Sequence, residues 1–402
     1  MNYFEKALIA LKKSDREDYK NYILKGINEK EVYSYYLGYL FLLEIDMTEF
    51  ESLVNEDNDY SLAVKGQQMI MRGKVEDGID LLKKSNTGIA KYNLYVYYIE
   101  NGDSHNAKIY LDEGMELNFS LAFYEYTKDL RLDGELTRFE MNGEKFVYAC
   151  DKGIEFGFID AYYAKAKLYE EGFYLPNDLN KAIDLYNQLP ESEFSYSAIN
   201  LIKDYYALKD FNNVYDICID YLKTNQLFKE IVIYYLSKIY EQEEFEKYDL
   251  IKSLIYKKLL ITSTQSETYV LEIANIYYSK LKDINMATLY VKFFNKLMDY
   301  NDSCFSLYDS YEDMIFELEN HRRKNIDKND YYKNGIKEKS QENAYNAFLK
   351  GFLLDQKKCF TELAKFYKEG IMVSRDINIY NALVKSINNI LVFKKDIIGN
   401  DF

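Results

Sequence analysis

Residues that could perform acid–base or nucleophilic catalysis are scarce in this sequence. Its two histidines, His105 and His321, lie far apart, and no Ser, Cys or Asp arrangement around either resembles a catalytic set. His105 comes just before Ala107, where a turn between two helices is predicted, so an exposed turn residue is the favoured interpretation. The histidines therefore predict no catalytic residue.

The cysteines and carboxylates predict no metal centre. The acidic run over residues 56–59 lacks the glycine and the terminal glutamate of a calcium loop, which favours a solvated loop. Four cysteines occur without a close pair, so buried, reduced thiols are expected and neither a zinc ribbon nor a disulfide framework. The cysteines are Cys150, Cys218, Cys304 and Cys359.

The glycines do not form a phosphate loop. Gly66, Gly73 and Gly78 have the spacing of helix and turn glycines, and no strand precedes them, so we expect no nucleotide or other cofactor. Without catalytic residues, a metal site or a cofactor site, the sequence predicts a protein that is not an enzyme.

The charge balance argues against nucleic acid as a partner. The 402 residues include 51 basic and 66 acidic side chains, a net charge of −15, whereas phosphate binding needs a basic face. The one basic cluster, His321–Lys324, is interpreted as a solvated connection. Charges interrupt the apolar run at the N-terminus, and no stretch of about 18 uncharged apolar residues occurs elsewhere. Neither a signal peptide nor a membrane span is expected, and the expected location is the cytoplasm.

The elements that position these residues are predicted to be helices throughout. Pro176 and Pro190 are the only prolines, and apolar residues recur at helical spacing from Phe4 to Phe393 without a competing strand pattern. Two helix starts are predicted from capping-box spacing, at Ser14 with Glu17 and at Asn28 with Glu31.

A repeat of two helices and a turn is clearest between Gly88 and Asn118. Asn101-Gly102-Asp103 breaks the segment, and small residues at Ala107 and Gly114 let the two helices approach closely. The segment resembles a tetratricopeptide repeat, although the usual large residue is absent at Lys91 and the usual proline is absent at Asn118. The positions that carry the resemblance are Tyr92, Asn93, Leu94, Tyr98, Gly102, Asp103, Ala107 and Leu117.

A second kind of repeat spans residues 161–186 and resembles the Sel-one-like repeats, relatives with a longer loop between the helices. Gly172 is expected to end the first helix with a positive φ, and Asp178 to cap the second helix. A third copy covers residues 363–382. The two copies match at a constant offset of 198 positions, pairing Gly153 with Gly351, Ala166 with Ala364, Tyr169 with Tyr367, Gly172 with Gly370 and Asp178 with Asp376.

These repeats predict an all-α fold, a right-handed α-solenoid of roughly ten stacked antiparallel helical hairpins. Helical repeats are expected over residues 1–133, tetratricopeptide and Sel-one-like repeats over 143–320, and a Sel-one-like repeat with a closing helix over 341–402. The polar segment 320–343 is either a flexible loop or a helix that bridges two sub-arrays, and one continuous solenoid is the alternative.

Tyrosine stripes invite interpretation as a binding surface, but helical spacing favours packing for most of them. In the stripe of Tyr92, Tyr95, Tyr97 and Tyr98, we expect Tyr95 and Tyr98 to fill the contact between hairpins while Tyr92 points elsewhere. The second stripe consists of Tyr33, Tyr35, Tyr36 and Tyr39.

The resemblance implies a concave face, built from the first helices, that binds extended or helical peptides. Net acidity favours a basic or amphipathic segment of another protein as the ligand, so the expected function is a protein- or peptide-binding scaffold or adaptor. The alternatives are a peptide-responsive sensor that resembles bacterial pheromone receptors and, less favoured, an enzyme with an unrecognised site. The sequence leaves the oligomeric state open. The predicted contact residues are Tyr92, Val96, Ile99, Glu100, Tyr163, Lys167 and Glu170.

Overall fold

The computed structural model describes residues 1–128, 143–224, 229–264, 266–298, 305–319, 321 and 327–386. Within these ranges every regular element is a helix, which confirms the predicted all-α fold. The chain forms two compact units, Met1–Ser197 and Ala198–Phe402. The boundary lies inside the segment predicted as the central repeats, and the division proposed at residues 320–343 stays a prediction.

Helices of the first unit follow one another with short turns. They are α1 (Tyr3–Lys12), α2 (Arg16–Asn28), α3 (Val32–Leu40), α4 (Met47–Val54), α5 (Asp59–Met71), α6 (Val75–Lys84), α7 (Gly88–Glu100), α8 (Ser104–Glu116), α9 (Ser120–Thr127), α10 (Gly143–Glu155), α11 (Ile159–Glu171) and α12 (Leu179–Asn187). A 3-10 turn, Glu191–Glu193, precedes α13 (Phe194–Ala207), which crosses into the second unit.

The second unit continues the same pattern. Its helices are α14 (Phe211–Thr224), α15 (Lys229–Ile239), α16 (Leu250–Thr264), α17 (Glu267–Asn275), α18 (Ile284–Met298), α19 (Phe305–Glu319), α20 (Tyr331–Lys337), α21 (Gln341–Leu353), α22 (Lys357–Glu369) and α23, described over 377–386. A π-helical turn, Ile276–Lys280, extends α17. Neighbouring helices pack in pairs, among them α1 with α2, α5 with α6, α7 with α8, and α17 with α18.

The two repeat copies that are related by the offset of 198 positions have the same turn geometry, as that offset predicts. Gly172 ends α11 with φ 71° and Gly370 ends α22 with φ 73°, the left-handed region that glycine adopts without a steric cost. The backbone N–H of Asp178 donates to the carbonyl of Tyr169 at 3.0 Å, and that of Asp376 donates to Tyr367 at 2.8 Å. The expected glycine turns are therefore confirmed.

Helix caps and small contact residues agree with most of the sequence expectations. Asp178 accepts a hydrogen bond from the N–H of Lys181 at 3.2 Å, and Asp376 accepts one from Ile379 at 3.1 Å, so both aspartates cap helices. Gly102 ends the turn after α7 with φ 76°. The alanines expected between helices are buried, namely Ala107, Ala166, Ala182 and Ala364.

Both predicted capping boxes are wrong. Asp15, and not Ser14, caps α2 by accepting from the N–H of Asp18 at 3.0 Å, because the left-handed backbone of Ser14 (φ 61°) belongs to the turn after α1. Asn28 is the last residue of α2. Its supposed partner Glu31 caps α1 instead, accepting from the N–H of Tyr3 at 2.9 Å, a contact between distant residues that local spacing does not reveal.

Each unit also brings distant helices together. In the first unit, the N–H of Ser120 at the start of α9 donates to the carboxylate of Glu5 on α1 at 3.1 Å. In the second unit, Lys252 on α16 lies 3.4 Å from Asp376, the cap of α23. Residues 253–258 of α16 are all buried, so this helix is surrounded by protein on every side.

The cysteines follow the expectation as far as the structure describes them. Cys150, Cys218 and Cys359 are buried free thiols, and burial raises the pKa of each. Cys304 lies outside the described residues.

Candidate functional site

A groove in the first unit lies between α3, α4 and α5 and has a volume of about 410 Å³. Its floor is aromatic and buried: the hydroxyl of Tyr36 donates to the sulfur of Met71 at 3.1 Å, and the ring of Phe50 stacks on Tyr35 with centroids 6.2 Å apart. The helices α3 and α4 that contribute to the lining are short, with nine and eight residues. The floor of the groove is built from core side chains.

The walls of the groove expose apolar side chains to solvent. Met71 is 62% exposed, and Tyr39 and Met47 are also exposed. Methionine is unbranched and polarizable, so its side chain adapts to apolar groups of different shapes. The complete lining is Tyr36, Tyr39, Met47, Phe50, Glu51, Val54, Asn55, Gln68, Met71 and Arg72.

The turn after α3 extends this apolar surface. Leu40 and Phe41 are exposed, and Leu42 is 93% exposed with a left-handed backbone at φ 55°. Single exposed apolar residues are ordinary on protein surfaces, but contiguous ones beside a groove are typical of binding sites. We define Tyr39, Leu40, Phe41, Leu42 and the groove together as the α3–α5 surface.

The α3–α5 surface is also acidic. Residues 41–60 contain seven aspartates and glutamates and no lysine or arginine. Glu49 is neutralised by Lys30 at 2.8 Å, and hydrogen bonds from Lys30 and Tyr35 lower the pKa of its carboxyl group. Glu51 at the groove wall and Glu44 in the preceding turn are exposed, and neither has a basic partner within the described residues. Arg72 is the basic side chain among the lining residues.

Tyr92, one of the contact residues predicted from the sequence, uses its side chain to contact another helix of the first unit. Its hydroxyl donates to the carboxylate of Glu125 on α9 at 2.9 Å, and its ring lies 5.8 Å from that of Phe119. Tyr95 donates to the same carboxylate at 3.0 Å. Burial raises the pKa of Tyr92, and the negative charge of Glu125 raises it further.

The other predicted contacts on α7 lie at its C-terminal end. Val96 is half-buried and packs against the core of the first unit, while Ile99 and Glu100 are exposed. Exposure leaves Ile99 and Glu100 accessible to a partner, and their role stays a prediction.

The predicted contacts on α11 are engaged with neighbouring helices. Tyr163 is 2% exposed, and its ring lies 5.5 Å from that of Tyr186 on α12. Lys167 forms an ion pair with Glu170, which also accepts a hydrogen bond from Tyr186. Lys167 and Glu170 are therefore brought together, and partner binding by these three residues stays a prediction.

A second group of charged residues surrounds the buried side chains of Lys257 and Glu272 in the second unit. Lys257 pairs with Glu241 at 3.0 Å and with Glu272, and Lys238 pairs with Glu272 at 3.2 Å. Burial lowers the pKa of Lys238, but the nearby carboxylate of Glu272 outweighs this and the pKa is raised. Paired and buried charges of this kind connect helices, here α15, α16 and α17.

Lys258 forms a separate buried pair on the neighbouring face of α16. Its ammonium lies 2.7 Å from the carboxylate of Asp355, which also accepts from the hydroxyl of Tyr290 at 3.0 Å. The hydroxyl of Tyr277 donates to the carbonyl of Leu353 at 2.7 Å. These bonds tie α16, the π-helical turn and α18 to the end of α21 and the turn that follows it.

The described part of the chain brings together no group of three or more His, Cys, Asp or Glu side chains that could hold a metal ion. None of the described helices is long and apolar enough to cross a membrane.

The α3–α5 surface was missed by sequence reasoning. The tyrosine stripe was interpreted as packing, and Tyr33, Tyr35 and Tyr36 are indeed buried, whereas Tyr39 is exposed. The signal was present in the run from Tyr39 to Leu43, where five consecutive large apolar residues end a helix and precede an acidic segment. Such a run exceeds what one face of a helix can bury.

Comparison with known proteins finds similarity in structure and no matching sequence. No protein-family model and no curated protein matches the sequence. A protective antigen of uropathogenic Escherichia coli strains with an SLR fold is similar over 91% of this chain and 78% of its own, with 14% identity and a TM-score of 0.41. A Sel1 repeat protein from Oxalobacter formigenes is similar over 84% of this chain and 92% of its own, with 13% identity and a TM-score of 0.40.

Proposed function

We propose that the chain is a helical-repeat scaffold that binds a segment of another protein, with the α3–α5 surface as its docking site. The observation that carries this proposal is the groove of about 410 Å³ whose floor is buried and aromatic and whose walls expose Met47 and Met71. This volume falls in the range of about 300–1,000 Å³ that is usual for ligand sites. Exposed aromatic and methionine side chains are enriched at protein interfaces.

We include the exposed C-terminal end of α7 in this proposal as a second contact with the bound protein segment. Ile99 and Glu100 present an apolar and an acidic group, the combination also found at the α3–α5 surface. Tyr92 and Tyr163, which the sequence predicts on the concave face, support this function indirectly, by holding the helices of the first unit together.

Selection of displayed peptides against the immobilised full chain tests the proposal. Peptides recovered in this way are measured in solution by titration calorimetry, and we expect dissociation constants of about 100 μM or tighter. A Met71→Glu variant should weaken the binding, while Ile109→Glu, a matched change of an exposed residue on α8, should not. If no selected peptide binds the full chain in solution, the scaffold function is refuted.

A further inference from the structure

We propose that the α3–α5 surface recognises one class of occupant, an amphipathic helix whose apolar ridge is flanked by lysine or arginine. This inference rests on the proposed scaffold function and specifies the partner. Three features support it: the spacing of the residues that line the groove, the carboxylates around α4 and the exposure of the apolar walls.

The lining of the groove suits a helix. It consists of Tyr36 and Tyr39 on α3, residues 47, 50, 51 and 54 on α4, and Gln68, Met71 and Arg72 at the end of α5, so each helix contributes side chains at i, i+3, i+4 or i+7 spacing. An amphipathic helix lays side chains from positions i, i+3, i+4 and i+7 into such a groove. The described residues contain no strand, so an extended segment would find no strand edge to pair with here.

The charge around the groove determines which sign of charge the flanking residues of the bound helix should carry. Exposed Glu44 and Asp46 precede α4, Glu51 lies on it, and exposed Glu56 and Asp57 follow it. One of these carboxylates lies on the short helix and four flank its ends. Glu51 and Arg72 are the charged residues of the groove lining and carry opposite charges, so the excess negative charge comes from the exposed carboxylates at the two ends of α4. A basic helix gains attraction on approach and in the complex, whereas an acidic helix is repelled.

The same charge argues against a second copy of the chain as the occupant. The molecule carries a net charge of −15, and two copies meeting at this surface would bring their acidic segments together. Leu42 is almost fully exposed and could make an apolar contact with a second copy, so the experiment below also tests for a dimer.

The experiment uses the full chain and three synthetic peptides of about 15 residues, a length near which isolated helices begin to form. The first has leucines at i, i+3, i+4 and i+7 flanked by lysines. The second has the same leucines with glutamate for every lysine, and the third has the lysines with two prolines in the centre, which prevent a helix.

We expect the lysine peptide to bind at least about tenfold tighter than the other two and to weaken as salt is added. Glu51→Lys and Met71→Glu should each lower its affinity by about tenfold or more. Glu116→Lys and Ile109→Glu, changes of exposed residues on α8, serve as matched controls and should leave the affinity unchanged. Circular dichroism and thermal melts check that all four variants stay folded, which their exposure predicts.

Several outcomes would overturn the inference. Equal binding of the lysine and glutamate peptides, tight binding of the proline peptide, or no binding of the lysine peptide would each exclude the basic helix. Sedimentation of the full chain that gives a dimer lost in Leu42→Glu would assign the surface to a second copy. If peptides from the display selection bind wild type and Met71→Glu equally, the scaffold function survives and this inference fails.

Discussion

The ammonium group of Lys258 lies 2.7 Å from a carboxylate oxygen of Asp355, which follows it by 97 residues, and both side chains are buried. The pair connects α16 to the turn between α21 and α22. It shows that the helical hairpin of α21 and α22 packs against α16 within the second unit.

This ion pair predicts that Asp355→Asn strongly lowers the stability of the protein. The substitution leaves a buried ammonium without a counter-charge, which should lower the free energy of unfolding by about 3–5 kcal/mol. Urea denaturation followed by circular dichroism measures the change. Glu362→Gln, which removes the surface pair between half-buried Glu362 and exposed Lys365, is the control and should change stability by less than about 1 kcal/mol. Adding Lys258→Met to Asp355→Asn should restore most of the loss, and no restoration would contradict the proposed role of the charge pair.

Ala182→Leu tests the packing between α11 and α12. Ala182 is fully buried on α12, which packs against α11, so a larger side chain should destabilise the protein by about 1–3 kcal/mol. Thermal and urea denaturation of the variant give this value. The same change at exposed Ala207, the last residue of α13, should be nearly neutral. Equal stability of the two variants would show that the helices are not in close contact at Ala182.

Tyr92→Phe distinguishes a packing role from a binding role for this residue. The variant loses the hydrogen bond to the carboxylate of Glu125, which should lower the free energy of unfolding by about 1.5–3 kcal/mol. Peptide affinity measured on the folded protein should be unchanged. Tyr97→Phe on the same helix is the control for stability. A loss of affinity in folded Tyr92→Phe would support the concave face as a contact.

Alkaline pH should unfold the protein through its buried tyrosines. Burial raises the pKa of Tyr256, Tyr277 and Tyr290 well above 10, the value of an exposed tyrosine, with Asp355 adding to the shift for the last two. Because the folded pKa is higher than the unfolded pKa, the stabilisation is complete below pH 10 and decreases as the pH rises above it. Tyrosinate absorbance and circular dichroism, recorded against pH, should show a group of tyrosines that ionise only as helix content falls. Full ionisation around pH 10 with intact helices would contradict the burial of these residues.

Much of the fold follows from local sequence. The helical spacing of apolar residues, the near absence of proline and the paired positions of Gly172 with Gly370 and Asp178 with Asp376 predict helices, turns and caps, because each depends on residues a few positions apart. These predictions were confirmed. The capping boxes at Ser14 and Asn28 were wrong because Asp15 competes for the first cap and Glu31 serves a distant helix.

The position and exposure of the residues in the candidate site depend on the tertiary structure. Tyr36 and Tyr39 have the same side chain three positions apart, yet one is buried in the floor of the groove and the other is exposed on its wall, because packing of α4 and α5 against α3 determines which tyrosine is covered. Likewise, Tyr92 is recognisable from its repeat position, but its partner Glu125 is 33 residues away. Sequence spacing specifies which residues share a helix face, and only the packing of distant helices determines whether that face meets protein or solvent.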